Sequence, residues 1–300
     1  MTTGQVAGGT SGTFHFNGGA LLPTQDNTAF FSGLGTADAQ AGGARIDTNG
    51  FNVTVAQNLV HDTSTNAAAT DGGLTKGGTG TLMLLGASTY TGPTQVNAGM
   101  LAITGSLQGT GGVTVAGGAT LAGTGRVAGA VQVQAGGTLV AGLNGAGVLT
   151  VQGNLALSNT LNPASPATAV FTLGGTTPGS GYTQVQVGGQ LTLANTALVL
   201  NGRNGFRLAV GQTFYLFDEP GSGALAAGVF ANAPTGVYTD AAGNTSLVNY
   251  AANNPANNSL LFNDVSVTVL TVVPEPSTWA LVALGLTGLG VVARRRARLV

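Results

Sequence analysis

Val113-Thr114-Val115-Ala116-Gly117-Gly118-Ala119-Thr120-Leu121 is answered eighteen residues later by Val131-Gln132-Val133-Gln134-Ala135-Gly136-Gly137-Thr138-Leu139. Each copy alternates apolar and polar residues, turns on small residues and resumes a short alternating stretch, which reads as strand, corner, strand. Leu149/Val151 and Val185/Val187 fall at further offsets of 18 and 36. A second apolar column, Ile103, Leu121, Leu139, Leu157 and Leu193, keeps the phase, as do Gly99, Gly117, Gly153 and Gly189. A unit this short suits one coil of a β-solenoid, in which each strand pairs with its counterpart one coil away. Val115, Val133 and Val151 are therefore expected to be buried, parallel and stacked.

Composition agrees with this reading. Gly is 51 of 300 residues and charged residues are 6%. Helices lose stability at each Gly and normally coat their outer faces with ions, so an ordinary helical enzyme is excluded. Stacked identical ions would repel through every coil, whereas outward Thr and Gln form uncharged ladders. There is no Cys, which removes disulfides and thiolate chemistry. Residues 1–293 hold five basic and ten acidic residues, a net of −5. Such a body has no basic patch for phosphates, so no nucleic-acid partner is expected.

The phase breaks between Asn162 and Gly181 and returns at Val185, so this stretch reads as one coil with displaced loops around a strand at 170–173. Beyond Leu200 the aromatics Phe206, Phe214, Tyr215, Phe217, Phe230, Tyr238, Tyr250 and Phe262 concentrate in a less repetitive segment. This reads as a β cap over the last coil. The expected organisation is a solenoid over 1–200, a cap over 201–272 and a tail over 273–300.

Gly72-Gly73-Leu74-Thr75-Lys76-Gly77-Gly78-Thr79-Gly80-Thr81-Leu82, with Tyr90-Thr91-Gly92-Pro93-Thr94-Gln95-Val96-Asn97-Ala98-Gly99-Met100-Leu101 after it, closely resembles the autotransporter-associated β-strand repeat. The resemblance centres on 72–104 and implies a right-handed parallel β-helix on the bacterial surface or outside the cell. A genuine autotransporter ends in its own outer-membrane barrel, and no such pattern follows residue 200. The segment from Gly211-Gln212-Thr213-Phe214 to Asn263-Asp264-Val265 resembles the end of such repeat arrays. Its usual Gly-rich acidic run is replaced by Asn253-Asn254-Pro255-Ala256-Asn257-Asn258-Ser259, which argues against a bound cation.

Pro274-Glu275-Pro276-Ser277-Thr278, the apolar run 279–293 and then Arg294, Arg295, Arg296 and Arg298 resemble a PEP-CTERM sorting tail. Residues 277–293 make about 25 Å of helix, at the short limit for a transmembrane helix. The terminal arginines act as a membrane stop and place that end in the cytoplasm. The resemblance implies an exosortase-type processing enzyme acting near Pro274, Glu275 and Pro276. It also implies transient residence in the inner membrane and a final place at the cell surface or in the extracellular matrix. Met1-Thr2-Thr3-Gly4-Gln5 carries neither a basic start nor an apolar stretch, so the natural start is expected upstream.

Some β-helices cleave polysaccharides, which requires paired carboxylates or a carboxylate with a cation. The candidates are Arg45 with Asp47, read as a surface pair, and Asp218 with Glu219, read as solvating a turn. His15 and His61 read as lone surface histidines without zinc partners. In Gly77-Gly78-Thr79-Gly80-Thr81, Leu82 occupies the slot where a calcium-binding nonapeptide carries its Asp, so a calcium roll is not expected. No catalytic residue, metal or cofactor is expected. The leading expectation is a non-enzymatic surface protein, an adhesin or biofilm component with exopolysaccharide as a partner; the alternative is a polysaccharide-processing β-helix enzyme.

Overall fold

The computed structural model describes residues 1–64, 67–158, 165–203, 205–220, 226–255 and 263–273. These residues form an all-β parallel solenoid with three strands per coil. Strands Leu74–Gly77, Thr94–Val96, Val113–Val115, Val131–Val133 and Leu155–Ser158 stack in parallel on the first face. Strands Thr81–Leu84, Met100–Ile103, Thr120–Gly123, Thr138–Ala141 and Ala167–Leu173 stack on the second. The long strand Leu191–Gly202 pairs with Leu155–Ser158 over its first part and with Ala167–Leu173 over the rest, so the two faces merge into one 18-stranded sheet. Asn195, at positive φ, sits where the pairing changes face.

The third face consists of two sheets. Strands Thr13–Phe16, Thr36–Ala39 and Val60–His61 form a three-stranded sheet, and a nine-stranded sheet begins with Ala87–Ser88. After Thr213–Asp218 that sheet becomes antiparallel, pairing in turn with Asp264–Thr271, Thr245–Ala252 and Val237–Thr239. This antiparallel segment caps the last coils, and Phe171, Tyr182, Phe214, Phe217 and Phe230 fill the interior beneath it.

Val115, Val133 and Val151 are all buried in parallel strands, but they do not form one stack. Val115 and Val133 are neighbours on the first face, and the ladder continues to Leu157 and Leu193. Val151 lies on the third face between Val127 and Val187. The second expected column divides similarly: Leu121 and Leu139 stack on the second face with Leu101 as their neighbour, Ile103 pairs with Gly123 and not with Leu121, and Leu157 and Leu193 belong to the first face. The physical reason is that alternation is identical on every face and does not report which face a strand joins. Register partners Leu74, Thr94, Val113, Val131, Leu155 and Leu191 are 20, 19, 18, 24 and 36 residues apart, so an 18-residue coil occurs once in this series. Corner insertions absorb the difference, among them the Leu143–Ala146 turn.

Candidate functional site

Lys76 alternates inward on Leu74–Gly77 and is fully buried. Its Nζ donates to the carbonyls of Gly77 and Gly78 at 2.7 Å, to that of Ala98 at 2.9 Å and to Thr48 Oγ1 at 3.1 Å. One ammonium thereby joins the corners of three successive coils. Burial pushes it down to about 8 against the attraction of Asp47. The corner tolerates no side chain at Gly78, which has positive φ and whose Cβ would strike Asp47 Oδ1 and the Asn49 amide.

Asp71 forms a second clip. Its buried carboxylate accepts from the amides of Thr91, Gly73 and Gly92 at 2.7, 2.8 and 2.9 Å, from Thr91 Oγ1 at 3.0 Å, and contacts His61 Nδ1 at 2.8 Å. The clip lies beside the gap between the two third-face sheets, where Thr89 N also donates to Leu59 O. Burial alone would raise the Asp71 carboxyl, but the Thr91, Gly92 and Gly73 amides and His61 outweigh it and hold it below its ordinary 3.8.

A depressed carboxyl contributes stability above the unfolded pKa and loses it as pH falls through the lower folded value. The thermal midpoint should therefore fall as pH is lowered past 3.8. Asp71→Asn should be less stable at neutral pH and flatter in acid. Equal slopes for parent and variant would remove Asp71 from the acid transition.

His15 is at the surface as expected, but neither histidine is lone. His15 Nδ1 lies 2.9 and 2.8 Å from the two Asp38 carboxylate oxygens, and His61 pairs with Asp71. Asp38 is 23 residues from His15, a separation that becomes adjacency only in the coil register. Asp218 and Glu219 are likewise not turn-solvating ions; both are buried beneath the cap. Asp218 accepts from Asn254 Nδ2 at 3.1 Å and Gln186 Nε2 at 3.2 Å. Asp264 accepts from the amides of Glu219 and Asn254, both at 2.7 Å, and Asn263 Nδ2 donates to Glu219 O at 2.7 Å. These polar groups fasten the antiparallel cap to the solenoid end. Arg45 and Asp47 share the outward side of Ala44–Asp47, and Asp47 Oδ1 accepts from Asn49 N.

The outward ladders of the first two faces carry no charge across the central coils, whereas on the third face exposed Arg126 stands between Ser106 and Thr150. Thr75, Gln95, Thr114 and Gln132 are in register on the first face. On the second, Thr120, Thr138 and Thr168 run beside Ala122, Val140 and Val170. The aliphatic column was not anticipated, although its signal is the small or branched residue two places after each Thr.

At the cap's far end Val273 N donates to Asn244 Oδ1 at 2.8 Å, fixing where the chain leaves the body. Pro274, Glu275, Pro276, the expected transmembrane helix and Arg294, Arg295, Arg296 and Arg298 lie outside the described residues. Among the described residues no helix is long and apolar enough to cross a membrane.

No curated protein matches the chain. Residues 74–103, which include Lys76 and Thr91, match the family model of the passenger-associated-transport repeat. Residues 272–296, which begin at the pinned exit, match the PEP-CTERM protein-sorting motif. The chain is thus similar over one coil and a half to passenger-repeat proteins, and over its end to proteins whose sorting motif marks export through the membrane to the cell surface.

Proposed function

We propose that this protein is a non-enzymatic structural component of the bacterial surface or extracellular matrix, acting as an adhesin or biofilm element with exopolysaccharide as its partner. The observation that carries the reading is a charge-free solenoid flank joined to a sorting motif. The acids offer further support: Asp26, Asp38, Asp47, Asp62, Asp71, Asp218, Asp240 and Asp264 all serve turns, clips or cap contacts. A hydrolytic site instead needs a carboxylate pair across a substrate groove.

On this reading Pro274, Glu275 and Pro276 are recognised by an exosortase-type enzyme, while 279–293 holds the substrate in the inner membrane with Arg294, Arg295, Arg296 and Arg298 in the cytoplasm. The two roles separate by mutation. Glu275→Ala leaves the apolar run and the arginines intact, so the chain should accumulate uncut in the inner membrane. Leu284→Arg should weaken insertion by roughly 3 kcal/mol and mislocalise the chain with its motif intact. Mass and fractionation of both variants in an exosortase-bearing host provide the test. A mature parent that retains 294–300 would refute processing and leave a permanent anchor.

A further inference from the structure

Of the nine exposed large hydrophobic residues among the described residues, seven lie between 210 and 273. Six of them gather at one end of the cap sheet. Val237 is the cross-strand partner of Leu247, which is in turn opposite Thr268. The turn carrying Val210 is bonded to Val269 in both directions, Gly211 N to Val269 O and Val269 N to Gln212 O, each at 2.9 Å. That places Val210 beside Leu270. Val272 and Val273 continue from the same strand, with Val273 held to Asn244 and packed near Gly243.

Few acids are exposed at this end. Asp218, Glu219 and Asp264 are buried, and Asp240 is turned onto the Ala242 and Asn244 amides. Arg207 is exposed and lines, together with Asp240, the cleft that also contains Val272 and Val273. An apolar rim with its acids buried or turned onto amides is compatible with an interfacial membrane surface.

The exit point gives the second, independent constraint. The six peptide steps from Val273 to Trp279 reach at most about 22 Å even fully extended. With 279–293 in the bilayer, the pinned end of the cap lies within that reach of the apolar core, close enough to touch the headgroups.

We propose that the rim formed by Val210, Val237, Leu247, Leu270, Val272 and Val273 rests on the lipid surface while the tail is inserted, so that the solenoid stands on its cap. The tether part of this inference rests on the proposed reading of the tail; the clustering of exposed side chains does not.

The chain has no Cys, so single substitutions can be labelled without background. Leu247→Cys and Thr13→Cys, the latter exposed in the first coil, are each labelled with an environment-sensitive fluorophore in the full chain. The chains are reconstituted into phosphatidylcholine–phosphatidylglycerol vesicles carrying a headgroup-level quencher. The label at residue 247 should be quenched at least about fivefold more strongly than that at residue 13, which is ten strand steps, or about 48 Å, away along the third face. Adding Val210→Ser and Leu270→Ser should lower the quenching while vesicle flotation persists. Flotation with equal quenching at both positions overturns the cap inference and leaves the tail reading standing. Loss of flotation by the parent overturns both.

Discussion

Val133→Asp should unfold the solenoid at its centre. Val133 is fully buried, with Val115 and Leu157 as its ladder neighbours. A carboxylate there has no partner, and the surrounding ladder cannot hydrate it, so the cost is several kcal/mol whether it ionises or takes up a proton. Because each coil derives its stability from its neighbours, the loss spreads to both sides. The matching control is Thr114→Asp on the outward side of the same ladder, between Gln95 and Gln132. It adds the same ion in contact with water and should stay within about 0.5 kcal/mol of the parent. Denaturant midpoints of the two variants provide the comparison. Similar values would mean that Val133 does not face the core.

Lys76→Met should be the second most damaging single change. Methionine fills nearly the same volume, but it leaves the Gly77, Gly78 and Ala98 carbonyls without their buried donor. Each unsatisfied acceptor costs about 1–3 kcal/mol. Relief from burying the ammonium offsets part of that sum, so the net loss should be about 3 kcal/mol. Hydrogen exchange should localise it to 74–103.

The lysine also has a pH signature of defined sign. Between its folded value of about 8 and its ordinary 10.5, the native chain has released a proton that the unfolded chain still holds. Over that window stability should rise with pH in the parent and not in Lys76→Met. A variant as stable as the parent at neutral pH would show that the ammonium does not organise the corner.

Much of the fold was legible because burial on a strand writes itself as alternation, and a turn without room for a Cβ writes itself as Gly. Val113, Val115, Val131 and Val133 carried the solenoid in this way, and the aromatics after Leu200 carried the cap. The assignment of Val151 to a column failed because alternation is the same on all three faces, while corner insertions change coil length without changing the pattern. The clips were hidden for another reason. Asp71 and Thr91, or His15 and Asp38, are 20 and 23 residues apart and meet only through the coil register. Asp218 and Glu219 read as surface ions because two adjacent acids before a Pro usually mark a turn. Their burial depends on Asn254, which follows Thr245–Ala252, and on Asn263 and Asp264 at the start of Asp264–Thr271, all distant in sequence.

The gap in the third face acquires another meaning once the molecule is regarded as a mechanical element. Ladder hydrogen bonds in a solenoid run along its axis, so tension between the ends loads every coil junction in series, and within one junction the three faces share the load. Between Val60–His61 and Ala87–Ser88 the third face has no strand pairing, and its share passes to Asp71, His61, Thr91, the Leu59 carbonyl and the side chains of Ser88 and Asn58, which accept from Leu59 N and Ala87 N. At that junction the third face resists a pull through side chains and not through a ladder, so its resistance should fall when Asp71 takes up a proton, as pulling the chain by its ends at neutral and acid pH would measure.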